Sequence, residues 1–145
     1  MSLATRTAPL ARAAQALHAR TFPSRVHARA TSARYVAAMA EPVKNITSDD
    51  LKELMETADA SDVMFVDVRE KDEWDALRLS RFELRPLSEA QGWLNSLPKD
   101  KKLVVMCKLG GRSARAADAI ANAGYSEVHN VLGGITEFVD KHGVK

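Results

Sequence analysis

The chain is short of cysteine. Its 145 residues include one, Cys107, so no internal disulfide can form. One cysteine and four scattered histidines offer no structural zinc site, and no metal or other cofactor is expected. Long apolar runs are also missing, which excludes a membrane span and a secretory h-region. Acidic residues are absent from the first forty positions, where six arginines and thirteen alanines stand instead. A basic, acid-free, Ala- and Arg-rich leader has the composition of an organellar transit peptide. The sequence therefore divides into a leader, 1–40, and one domain, 41–145. The Ala/Arg leader fits a mitochondrial sequence and also a plastid one of algal type, with 26–30 as a processing region; the plastid is slightly favoured.

Setting the leader aside changes the charge argument. The whole chain is +2, but without the six leader arginines fifteen basic and nineteen acidic residues remain, a net of −4. The pI of 8.8 thus belongs to the leader, and no nucleic-acid partner is expected for the domain.

What the domain does contain is an alternation of apolar runs and helical patterns. Strands are predicted over 43–46, 63–66, 82–84, 103–106 and 127–131. The runs at 63–66 and 103–106 are continuously apolar, as expected of strands covered on both faces. Helices are predicted after the N-capping cluster at Thr47–Asp50, over 70–76, from Ser88 to Pro98, from Ser113 to Gly124, and over 135–141. The order implies an α/β fold: a mainly parallel central sheet of about five strands with helices on both faces. In such sheets ligands bind beyond the carboxyl ends of the strands, and Cys107 follows the strongest strand.

The segment Cys107-Lys108-Leu109-Gly110-Gly111-Arg112-Ser113 joins that strand to a helix start. Successive N–H groups in such a loop can form an anion-binding nest, with glycine supplying positive φ. The helix N-terminus and the charges of Lys108 and Arg112 favour a thiolate. A cysteine so placed titrates from about 3.5 to 7.5 instead of about 8.5. The alternative is a small buried hydrophobe ending a strand. Four residues separate Cys107 from Arg112. Cysteine phosphatases and arsenate-handling enzymes use five, a wider cradle for a tetrahedral oxyanion, so this loop suits a sulfur atom on Cys107 better than a phosphoryl group.

The loop resembles the C-x-x-G-x-R-[ST] active-site loop of single-domain members of the rhodanese-like superfamily, at Cys107, Gly110, Arg112 and Ser113. Val66-Asp67-Val68-Arg69-Glu70 resembles the family's D-V-R-E segment. Leu132-Gly133-Gly134-Ile135 resembles its L-x-G-G-[IV], with Phe138 where Trp is common. The resemblance covers roughly residues 43–142. It departs at Leu77-Arg78-Leu79-Ser80-Arg81-Phe82, where the family usually has G-H-I-P-G-A. That segment shapes the rim, so its departure bears on substrate fit more than on fold; Arg78 and Arg81 read as solvated residues before rim charges.

The resemblance implies a sulfurtransferase of the thiosulfate type. Cys107 would take a sulfane sulfur from a small anionic donor as a persulfide and pass it to a thiophilic acceptor. With no second cysteine, the acceptor thiol must come from outside, such as glutathione or thioredoxin. Substrate binding falls to Lys108, Leu109, Gly110, Gly111, Arg112 and Ser113. Arg112 either shapes the loop and attracts the donor or forms a structural ion pair, and Lys108 either binds the donor or is solvated. Ser113 is a helix cap first and a site hydroxyl second. Asp67 and Arg69 resemble loop-supporting positions, Asp67 as an architectural acid. His129 reads as an edge-strand residue, and the two tryptophans as core or lid. A non-catalytic binding module on the same fold is the competing function.

Overall fold

The computed structural model describes residues 43–144. The expected leader, 1–40, lies outside the described residues. Five strands form one sheet: β1 (Lys44–Ile46), β2 (Val63–Asp67), β3 (Phe82–Leu84), β4 (Lys102–Met106) and β5 (Val128–Val131). Every pairing is parallel, in the order β1-β5-β4-β2-β3. The helices are α1 (Ser48–Thr57), α2 (Lys71–Ala76), α3 (Ala90–Trp93), α4 (Gly111–Asn122) and α5 (Gly134–His142).

The apolar runs explain the centre of the sheet. Leu103, Val104, Val105 and Met106 of β4 are all fully buried, because helices cover both faces. On one face Val66, Leu103 and Val105 pack with Trp93, Leu97, Ala116, Ala117 and Ile120. On the other, Phe65, Val104, Met106 and Val131 pack with Leu51, Leu79, Ile135 and Phe138. Thr47 caps α1: its hydroxyl accepts from the Asp50 N–H at 3.2 Å, and the Asp50 carboxylate accepts from the Thr47 N–H at 2.9 Å.

Several expectations are corrected. The helix expected from Ser88 to Pro98 is broken into a 3-10 turn at Leu87–Glu89, the single turn α3, and a second 3-10 turn at Leu94–Ser96. Competing partners reach its carbonyls: the single proton of the Tyr125 hydroxyl is shared between the Leu94 and Leu97 carbonyls at 3.0 and 3.1 Å, and the Trp93 indole N–H turns back to the Pro86 carbonyl ahead of the segment at 2.8 Å. His129 is not at an edge. Strand β1 closes the sheet beyond β5, so the imidazole is buried, and desolvation, with Lys102 and Lys44 adding, pushes its pKa down.

Arg81 is neither solvated nor a rim charge. Its guanidinium donates to the Met55 and Ala58 carbonyls at 2.6 and 2.7 Å, closing the C-terminus of α1, and lies 4.9 Å from the centre of the Phe65 ring. With Leu79 fully buried beside it, the segment 77–82 is anchored despite its unusual sequence.

Chain direction creates the crevice. After β2 the chain moves outward to β3, whereas after β4 it crosses to β5. The loops leaving β2 and β4 therefore diverge at a topological switch point, where open α/β sheets bind ligands. Asp67 pairs in register with Met106, so Val68 and Cys107 leave the sheet side by side and Arg69 follows one residue later.

Candidate active site

Cys107 leaves β4 at the switch point and is 1% exposed. Burial and thiolate stabilisation, alternatives in the sequence, coincide here. The sulfur belongs to the core cluster around Val105 and Ala116, yet it accepts the Gly110 N–H at 3.1 Å and lies 3.3 Å from Ser113 Oγ. Desolvation is the largest influence on its acidity and pushes the pKa up. The Ser113 hydroxyl and the N–H groups of Ser113, Leu109 and Gly110 outweigh it together, so the thiol ends below its ordinary value.

The loop owes its shape to Gly110 and to the L-G-G turn. Gly110 has φ +95°, and a Cβ there would lie 3.2 Å from both the Gly133 nitrogen and the Val131 carbonyl oxygen. Gly134, at φ +59°, lets α5 approach so closely that a Cβ would collide with the Cys107 and Lys108 carbonyls. In exchange α5 donates its Ile135 and Thr136 N–H groups to those carbonyls, at 2.9 and 3.2 Å. Gly111 needs no such freedom: its φ is not positive, and nothing stands within 4 Å of its Cβ position.

Ser113 is not a helix cap. The helix starts two residues earlier, with Gly110 at the N-cap, because Gly110 in the left-handed region lets the chain turn sooner. Its buried hydroxyl faces the sulfur instead. Leu109 contributes its N–H, while its side chain is 67% exposed.

Arg112 makes a bidentate pair with Glu73 of α2, both nitrogens 2.7 Å from carboxylate oxygens. That pair holds Glu73 at about 2, well below its usual 4.5, and raises Arg112; the Cys107 thiolate adds to the latter at longer range. The Arg112 charge therefore lies in the field of the sulfur while committed to Glu73.

Asp67 and Arg69 make no hydrogen bond to the loop. Arg69 Nε and Nη2 donate to the buried Asp67 carboxylate, at 3.0 and 2.7 Å, and its outer nitrogens reach the Glu73 and Leu77 carbonyls at 3.2 and 2.7 Å. They fasten α2 to the end of β2, and α2 presents Glu73 to Arg112. Sequence reasoning missed Glu73, whose signal was an acid three residues after Glu70 on a short helix opposite a loop arginine. Lys108 is exposed and borders a cleft of about 280 Å³ with Arg69, Glu73, Ala76, Leu77, Ile135 and Thr136. A larger cleft, about 330 Å³, lies at the opposite end of the sheet around Asp62, Lys99–Lys102 and Glu127, away from the cysteine.

Residues 47–141 match the rhodanese-like domain family. The chain belongs to that family. It is 33% identical over 108 residues to a sulfurtransferase of Allochromatium vinosum, covering 70% of this chain and 92% of that protein. It is also 33% identical over 103 residues to a chloroplastic rhodanese-like/PpiC domain-containing protein of Arabidopsis thaliana, covering 68% of this chain but only 34% of that longer protein. A mitochondrial Arabidopsis protein, HIGH ARSENIC CONTENT 1, is 45% identical over 42 residues, 29% of this chain and 25% of that protein. Among solved structures, a single-domain sulfurtransferase of Saccharomyces cerevisiae superposes with TM-score 0.60 at 26% identity, covering 72% of this chain and 94% of that one. Rhodanese-like relatives named sulfurtransferases support a sulfur-transfer role. No described helix is long and apolar enough to cross a membrane.

Proposed function

We propose that this rhodanese-like protein is a thiosulfate-type sulfurtransferase carrying sulfane sulfur on Cys107. The Cys107 thiolate attacks the outer sulfur of the donor. The donor's S–S bond breaks, and sulfite leaves with the electron pair. The persulfide sulfur is then attacked by a thiolate or cyanide, returning Cys107 as a thiolate. Glutathione or thioredoxin fits the acceptor role, since the chain has no second cysteine.

The observation that carries this reading is the sulfur held between the Gly110 N–H and the Ser113 hydroxyl, with the Arg112 charge nearby. A merely apolar cysteine has no use for that surround. The four-residue gap to Arg112 supports sulfur over phosphoryl chemistry. Lys108, beside the cleft, is the group free to meet an anionic donor, because Arg112 is engaged with Glu73. Asp67 and Arg69 act at one remove, through α2.

The test is thiocyanate formation from thiosulfate and cyanide. Wild type turns over, Cys107→Ser does not, and a phosphatase substrate stays untouched. Equal rates for wild type and Cys107→Ser overturn the proposal, leaving a binding module on the same fold. For location, the acid-free leader and the chloroplastic relative favour a plastid; a fluorescent fusion of residues 1–40 entering mitochondria instead would refute it.

A further inference from the structure

Ser113 poses a question of hydrogen-bond polarity. Its hydroxyl has one proton, and three acceptors surround it: Asn130 Oδ1 at 2.7 Å, the Gly110 carbonyl at 3.1 Å and Cys107 Sγ at 3.3 Å. A hydroxyl that donates to Asn130 gives the sulfur nothing. Asn130, buried on β5, donates in turn from Nδ2 to Asn45 Oδ1 at 3.0 Å. Asn45 is its register partner on β1 and is exposed at the sheet edge. One polar chain thus runs from the sulfur through Ser113 and Asn130 to solvent at Asn45.

In this arrangement every link donates outward. That suits a neutral thiol, which can itself donate to Ser113 Oγ. A thiolate has no proton to give and needs one aimed at it. The two ends of a carboxamide are alike in size, so a half-turn of both amides keeps the same contacts with reversed polarity. Asn45 Nδ2 then donates to Asn130 Oδ1, Asn130 Nδ2 donates to Ser113 Oγ, and the Ser113 proton points to the sulfur. The two arrangements make the same number of links, and the second replaces a neutral contact with a charge-assisted one.

We propose that Asn130, with Asn45 as its solvent-side partner, is a positioning residue that decides whether Ser113 donates to the Cys107 sulfur, reversing the chain's polarity when that sulfur becomes anionic. This rests on Cys107 being the sulfur carrier. The other charged groups on the surrounding elements are Arg112 of α4, paired with Glu73 of α2 and with Glu70 nearby; exposed Lys108 in the loop; the Asp67–Arg69 pair at the end of β2; and Glu137 of α5, engaged by Ser48 and Lys141. His129, next along β5, faces the other side of the sheet.

The test titrates the thiolate ultraviolet absorbance of the full chain, with Cys107→Ser subtracted as the blank for tyrosine. Asn130→Asp accepts only and would hold the Ser113 proton. Asn45→Asp also accepts only; it would hold Asn130 Nδ2 and leave Oδ1 on Ser113. Each should raise the Cys107 pKa by about one unit, a roughly tenfold weaker acid. Asn45→Ala leaves that place to water, which donates and accepts, and should match wild type. A rise that persists in high salt is polarity, not long-range charge. A low wild-type pKa with both Asp variants unchanged, or raised only at low salt, overturns the relay and leaves the carrier reading standing. A wild-type pKa in the ordinary thiol range overturns both. Asn45, being exposed, keeps the test decisive if Asn130→Asp fails to fold.

Discussion

Glu73→Gln removes one charge from the pair that anchors the loop and keeps the shape of the side chain. In wild type both terminal nitrogens of Arg112 lie 2.7 Å from the Glu73 carboxylate. The Arg112 hydrogen bonds are the main cause of the fall in the Glu73 pKa from 4.5 to about 2, against a smaller opposing effect of burial. At full strength that fall corresponds to about 3 kcal/mol. The side chains are 31% and 25% exposed, for Arg112 and Glu73, so water screens the pair. We expect about 1–1.5 kcal/mol. The sign follows from the depressed folded-state value. The stabilisation is complete above the unfolded carboxylate's value and disappears as pH falls from there through about 2. Thermal unfolding of both proteins across this range is the assay. Near neutrality Glu73→Gln should melt lower by roughly 4–12 °C for a domain of this size. The gap should close toward about pH 2. No gap at neutrality, or an equal gap at both ends, would refute the reasoning.

Gly134→Ala should lower stability by at least about 2 kcal/mol in urea unfolding, since its Cβ meets the Cys107 and Lys108 carbonyls at a positive φ. Gly111→Ala, with open space and an ordinary φ, should raise stability by about 0.4–1 kcal/mol in the same experiment. Arg81→Ala should cost about 1–3 kcal/mol by uncapping α1, while leaving the Cys107 titration unchanged. Lys108→Ala should raise KM for thiosulfate several-fold with little change in kcat, measured by initial rates.

The parallel sheet was legible because 63–66 and 103–106 are continuous apolar runs, as expected of strands buried on both faces, and alternate with helical patterns. The loop was legible because its cysteine, glycines and arginine are close in sequence. What escaped depends on partners distant in sequence. The helix predicted from Ser88 loses its carbonyls to Tyr125, some thirty residues on. Ser113 was misread as a cap because the turn begins at Gly110, a residue with no side chain to announce it. Glu73, Asn130 and Asn45 enter the site only through the alignment of β2, β5 and β1. An asparagine, a residue depleted in strands, within the strand at 128–131 was the available signal, and it gains meaning once Ser113 is placed beside it.

Whether Cys107 carries the sulfur is read from the intact mass of the full chain after incubation with thiosulfate. Wild type should gain one sulfur that maps to Cys107, is removed by cyanide and is absent from Cys107→Ser. No gain in wild type, or the same gain in Cys107→Ser, would contradict it.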